Sequence, residues 1–208
     1  MMFSVRKGPV KRKKSTGLFL LLLISVFAVC SAMFIWRIGE SVVDYYTRFT
    51  RYDEIIRKAG LRNGVDPYLL KAVIWRESKF DRNARGLKGE VGLMQIMPGL
   101  SAKDWARIKG FPQPSKGALY DPELNIEIGS WYLGRAVRRW QKYKDVYALA
   151  LGEYNAGARR VNDWKPVSPD DPVINRITIP STRSYVQDIL AKYKEYREQA
   201  HKKKKDGR

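Results

Sequence analysis

A carboxylate on an otherwise apolar helix face is the chemistry-bearing feature of this chain. Leu70, Val73, Ile74 and Glu77 fall at i, i+3, i+4 and i+7, which is one face of a helix. A carboxylate in such company is costly unless it is paired or protonated. Desolvation raises its pKa, so Glu77 is predicted to keep a proton near neutral pH and donate it as a general acid. The plainer alternative is a frayed position at the helix end, paired with Arg76 or Lys79.

The rest of the reactive inventory is narrow. Cys30 is the only cysteine and lies inside an apolar run, while His201, the only histidine, lies in a Lys-rich tail. That excludes Ser-His-Asp and Cys-His nucleophile systems, a disulfide, a cysteine-based zinc site and a histidine-rich metal site. Chemistry must run on carboxylates, tyrosines, amides and backbone, with no cofactor and no metal expected.

The elements that position Glu77 are marked by local signals. Asp66-Pro67 supplies an N-cap and a proline at the first helical position. Asp121-Pro122 repeats the device ahead of Ile126, Ser130, Leu133, Val137 and Trp140, which keep helical spacing. Further helices are predicted over residues 41–60, from Asp145 to about Ala156, and from about Thr182 through Val186, Ile189, Leu190 and Tyr193. Residues 80–120 carry most of the Gly and Pro loop signals, and 164–180 read as a Pro- and Asp-rich connection. No run of alternating strands and no internal repeat is present.

Ahead of this lies a membrane-type segment. Leu18 to Trp36 carries no charge and follows Arg6, Lys7, Lys11, Arg12, Lys13 and Lys14. Its length suits one passage through the hydrocarbon core, with the basic flank in the cytoplasm. A cleaved secretory signal, with Cys30-Ser31-Ala32 as an imperfect cleavage site, is the alternative. The domains expected are a basic cytoplasmic segment (1–17), a transmembrane anchor or signal (18–36), a helical catalytic domain (41–200) and a basic tail (201–208), solvated and frayed.

The motifs Glu77-Ser78-x-Phe80, Gly92-Leu93-Met94-Gln95 and Tyr154-Asn155-Ala156-Gly157, in this order and spacing, resemble the soluble-lytic-transglycosylase-like (SLT) domain. The resemblance covers about residues 50–195. It implies a mainly α, lysozyme-like helical domain acting on peptidoglycan, here preceded by one N-terminal transmembrane helix. By resemblance, Glu77 is the catalytic acid/base, and Met94, Gln95, Tyr154 and Tyr185 line the sugar site. Ser78, Gly92 and Asn155 belong to the structural part of the motifs, Gly92 for a backbone conformation or close packing. Met94 alternatively fills the core, as methionines do.

This chain departs from the family pattern at three positions. Gly86 stands where Ser is frequent, Ser181 where Glu often opens the C-terminal motif, and Glu153 where a small residue precedes the tyrosine.

Family chemistry needs one carboxylate. Glu77 protonates the bond between N-acetylmuramic acid and N-acetylglucosamine, then takes the proton of the muramyl 6-hydroxyl as that oxygen closes a 1,6-anhydro ring. Asp81, Glu90 and Glu153 are candidate second carboxylates for the alternative, a goose-type-lysozyme-like hydrolase. A non-catalytic glycan-binding envelope component is the third reading. The implied partners are peptidoglycan strands and the cytoplasmic membrane, with the domain on the periplasmic side and envelope-machine partners unspecified.

The charge fits that setting. One of the 21 acidic and seven of the 40 basic residues precede residue 41, leaving 20 acidic and 33 basic beyond it. A basic surface attracts anionic wall polymers through its long-range field. No nucleic-acid-binding module is recognisable, so nucleic acid is not an expected partner.

Overall fold

The computed structural model describes residues 14–207, so the basic flank expected at Arg6, Lys7, Lys11, Arg12 and Lys13 lies outside them. The chain divides into two compact units, one ending at Thr47 and the other beginning at Arg48.

The first unit is carried by helix α1, Lys14–Arg48. Its stretch Gly17–Tyr45 is long and apolar enough to cross a membrane, and the side chains from Leu18 to Trp36 are almost all exposed. At 1.5 Å per residue, 29 residues extend about 43 Å, beyond the roughly 30 Å of a hydrocarbon core. The helix runs on past Trp36, where the uncharged run ends. Between Trp36 and Arg48 the sequence offers only Gly39 against it, and one helical glycine costs about 1 kcal/mol. The helix predicted over 41–60 is therefore two pieces: the end of α1, and α2 (Asp53–Asn63) after a turn at 49–52.

The second unit is helical, with α3 Pro67–Ser78, α4 Lys103–Lys109, α5 Pro122–Trp140, α6 Val146–Ala156, α7 Ala158–Trp164 and α8 Pro180–Asp206. Among the described residues no strand forms; Val91 makes isolated bridges to Arg85 and Ile96. The predicted caps are present. Asp66 Oδ1 accepts the Tyr68 N–H at 2.8 Å, and Asp121 Oδ1 accepts that of Leu124 at 2.9 Å. Two short helices were not anticipated: α4, preceded by a π-helical turn at Pro98–Ala102, and α7. The Lys202–Lys205 tail, expected to fray, continues α8 as helix.

Helix α6 is the axis of this unit. Ala148 to Glu153 are all buried, because α5, α7 and α8 surround it. Apolar faces of α3 (Leu69, Leu70, Val73, Ile74), α5 (Ile126, Leu133, Trp140) and α8 (Val186, Ile189) close the core. Each such side chain contributes roughly 1.5–3 kcal/mol by leaving water.

Helices α3 and α8 run antiparallel, and polar contacts mark their register. Tyr193 donates to Asp66 Oδ2 at 2.7 Å, Arg76 Nε to Asp188 Oδ2 at 3.1 Å, and Tyr185 to Glu77. This register delivers Tyr185 to the C-terminal end of α3.

Candidate active site

The site forms where α3 ends. Glu77 is next to last in the helix, and Lys79 caps it in the left-handed region (φ 52°), its N–H on Trp75 O. Phe80 (φ 64°) is left-handed as well, and so is Gln95 (φ 49°). Non-glycine residues rarely adopt this conformation, and such strain collects at functional sites.

The segment 80–97 folds back over the helix end. Gly92 N–H donates to Ala84 O, Val91 and Ile96 exchange both backbone bonds, and Ser78 Oγ lies 2.8 Å from Leu93 O. Val91, Leu93, Met94 and Ile96 anchor the segment in the core. Asn125 of α5, itself 1% exposed, clamps it. Its Oδ1 accepts the Met94 N–H at 2.8 Å, and its Nδ2 donates to Val91 O and Leu119 O at 2.9 and 2.7 Å. Gly92 satisfies two demands at once. Its φ is +76°, and a Cβ there would lie 2.4 Å from Asn125 Nδ2.

Glu77 is half-buried and receives the Tyr185 hydroxyl on Oε1 at 2.6 Å. Burial pushes its pKa up to about 7; the charge of Glu90 adds to this, while the Tyr185 bond and Arg76 oppose it. The pairing with Arg76 or Lys79 is not formed. Arg76 is turned to Asp188, and the Lys79 ammonium sits 3.1 Å from the Trp75 ring centroid. Tyr154 and Tyr185 stay protonated, because burial and the nearby Glu77 charge raise their pKa well above that of a free phenol.

The structure sorts the sequence-predicted residues. Glu77 and Tyr185 are in direct contact, and Tyr154 lies close enough to feel the charge of Glu77. The Tyr154 hydroxyl donates to Met94 O at 2.8 Å, so its hydrogen supports the loop. Gln95 is half-buried; its Nε2 donates to Gly92 O at 2.9 Å and Ala84 O at 3.3 Å, and its Oε1 lies against Gly86. Met94 requires a correction. Its side chain is 0% exposed and packs against Gly129, so it fills the core and cannot line a sugar site. Asn155 Oδ1 accepts the Thr182 hydroxyl at 2.7 Å, joining the end of α6 to the start of α8.

The three candidate second carboxylates separate clearly. Asp81 is exposed and caps its own turn by accepting the Asn83 N–H. Glu153 is neither beside the site nor in solvent. It is buried, accepting from Arg139 Nη1 and Trp140 Nε1, both at 2.7 Å. Glu90 is the one whose charge reaches Glu77. Sequence reasoning missed Asn125, whose only signal is an amide one position before the apolar face of α5 begins at Ile126.

Comparisons with known proteins match this geometry to a family. The family model described as "Transglycosylase SLT domain" matches residues 54–174. A membrane-bound lytic murein transglycosylase C from Actinobacillus succinogenes is 31% identical over 137 residues, covering 62% of this chain and 38% of the relative. A soluble lytic murein transglycosylase from Salmonella typhimurium is 32% identical over 155 residues, covering 71% of this chain and 22% of its own. This chain thus spans well under half the length of either relative. The crystal structure of the 70 kDa soluble lytic transglycosylase of Escherichia coli superimposes with a TM-score of 0.65 at 29% identity, covering 72% of this chain and 24% of that one. An inactive Glu-to-Gln mutant of lytic transglycosylase Slt from Pseudomonas aeruginosa gives 0.63 at 29% identity, over 71% and 24%.

Proposed function

This chain belongs to the transglycosylase SLT domain family, and from that membership we propose that it cleaves peptidoglycan between N-acetylmuramic acid and N-acetylglucosamine. The observation that carries the reading is the state of Glu77. A half-buried carboxyl whose pKa is about 7, oriented by Tyr185, is both acid and base at neutral pH.

As acid, Glu77 protonates the glycosidic oxygen while the bond to C1 breaks, and the leaving sugar departs with a free 4-hydroxyl. The acetamido oxygen of the muramyl residue assists at C1. The muramyl 6-hydroxyl oxygen then bonds to C1 and its proton passes to Glu77. The 1,6-anhydro ring closes without water, and Glu77 is protonated again. Holding the hydroxyl near C1 makes the attack intramolecular, which removes much of its entropic cost. Tyr185 orients the carboxyl, and Gln95 Oε1 is available to accept a substrate hydrogen.

The exposed apolar helix α1 supports anchoring of the chain in a membrane, as does the name of the membrane-bound relatives. The basic residues before it would remain in the cytoplasm, which puts the compact unit on the periplasmic side of the inner membrane.

The test incubates the whole chain in detergent micelles, beside a Glu77→Gln variant, with purified peptidoglycan and weighs the products by mass spectrometry. Anhydromuramyl ends made by the native chain alone are the expected result. Reducing ends would make it a hydrolase, and no Glu77-dependent product would leave a glycan-binding role.

A further inference from the structure

Gly86 is a glycine for reasons of space. Its φ lies outside the left-handed range, so its backbone conformation does not call for the residue. A Cβ built there would fall 2.2 Å from Glu90 Oε2 and 2.8 Å from Gln95 Oε1. The volume of the missing side chain is therefore filled by two oxygens, one of them charged. The backbone holds this arrangement: Gly86 N–H donates to Glu90 O at 2.9 Å, and the Lys88 N–H to Glu90 Oε2 at 2.8 Å.

We propose that the Glu90 carboxylate is a charge-setting member of this site, seated there by the absence of a side chain at Gly86. The proposal rests on the reading of Glu77 as the acid and extends it. Gly86, which stands where the family often has Ser, and Glu90 then form one device. Opening the space at 86 admits a carboxylate from 90, beside the amide oxygen of Gln95.

Tyr185 of α8 contacts Glu77 directly, and Tyr154 of α6, Arg76 of its own helix and Glu90 of the loop lie within reach of its charge. Tyr154 and Tyr185 are neutral and Arg76 favours the carboxylate form. Glu90 is the anion of the set, and its charge makes ionising Glu77 harder. Glu90 is half-buried, where screening by solvent is incomplete. It is a positioning residue, acting through Glu77.

The seat can be emptied in two ways without breaking the fold. Glu90→Gln keeps the size and an acceptor for Lys88 N–H but removes the charge. Gly86→Ala pushes the far end of a flexible side chain aside, which costs little in stability. Both variants, and Gly86→Ala in the Glu90→Gln background, are compared as whole chains in micelles. The first readout is the Glu77 pKa, followed by carboxyl 13C NMR, and the second is the alkaline limb of kcat/KM on peptidoglycan.

The expected result is a lower Glu77 pKa and an alkaline limb moved to lower pH in both single variants, with no further shift in the double. Above that limb, kcat/KM falls up to about tenfold for a full unit of displacement. An unchanged Glu77 pKa in Glu90→Gln, with a rate lowered equally at all pH values, would reduce Glu90 to a brace for its turn and overturn the proposal. Additive shifts in the double variant would overturn the coupling to Gly86. The NMR titration needs no turnover, so a chain that proves inactive on peptidoglycan would sink the functional reading and still decide this one.

Discussion

The Tyr185 hydroxyl donates to Glu77 Oε1 at 2.6 Å across 108 positions of sequence, and the antiparallel register of α3 and α8 makes that contact. The bond fixes the carboxyl and favours its ionised form, opposing the effect of burial. Tyr185→Phe removes both effects. A hydrogen bond to a charged group is worth about 1.5–3 kcal/mol, so kcat/KM is expected to fall roughly ten- to hundredfold. The alkaline limb of the pH profile moves up at the same time, because Glu77 loses a group that stabilised its charge. A limb moving down would show that the bond favours the protonated carboxyl.

Glu77 is expected to cost the fold stability in alkali. Its folded pKa, about 7, lies above the ordinary value of 4.5, so the folded state holds the proton more tightly than the unfolded chain. The cost is absent below about pH 4.5, develops between 4.5 and 7, and is complete above. Glu77→Gln is expected to abolish cleavage and remove the cost, making the variant more stable by roughly 3 kcal/mol at pH 8. Thermal melts of both proteins at pH 4.5 and pH 8 check this; equal differences at the two values would refute it.

Asn125 holds the site loop by three buried hydrogen bonds. Asn125→Ala leaves Met94 N–H, Val91 O and Leu119 O without that partner. The expected destabilisation is about 2–4 kcal/mol, since each stranded buried group costs on the order of 1–3. Urea denaturation measures it. Activity at permissive temperature should fall too, because the same loop carries Gln95.

Glu153 is expected to matter for the fold and not for the chemistry. Glu153→Gln weakens the bonds to Arg139 and Trp140, at about 1–3 kcal/mol, the exposure of Arg139 limiting the loss. The alkaline limb and the identity of the products should stay as in the native chain. A change from anhydro to reducing ends, or the reverse, would contradict its assignment as structural.

The parts of this protein that could be read from its sequence are those written in local code. Asp66-Pro67 and Asp121-Pro122 announce helix starts because the cap and its target lie two or three residues apart. Glu77 is visible because helical spacing aligns it with Leu70, Val73 and Ile74. Helices α4 and α7 are too short to be stable by propensity and form because Trp105, Val161 and Trp164 dock in the core, which no local window reports. The motif shared with the family identifies Met94 and Gln95 together, but only the packing against Gly129 shows that Met94 faces inward, while Gln95 stays half-exposed. The partners of Glu153 lie 13 and 14 residues away and those of Asn125 lie 6 to 34 away, beyond the reach of any cap or turn rule.

Apart from the proton of Glu77 itself, the side-chain hydrogens of Gln95, Tyr154 and Tyr185 are already committed. Gln95 gives its amide hydrogens to Ala84 and Gly92, Tyr154 gives its own to Met94, and Tyr185 to Glu77. These groups therefore meet a newcomer with lone pairs. The proposed site would therefore be acceptor-rich and suit a polyol, whose hydroxyl and amide hydrogens it could take up. A ligand O-methylated at the hydroxyls that approach Gln95 should bind more weakly than one altered at its carbonyl oxygens, and a free phosphate, which brings mainly acceptors, is a poor match. Selectivity at the proposed site would then follow what the ligand can donate.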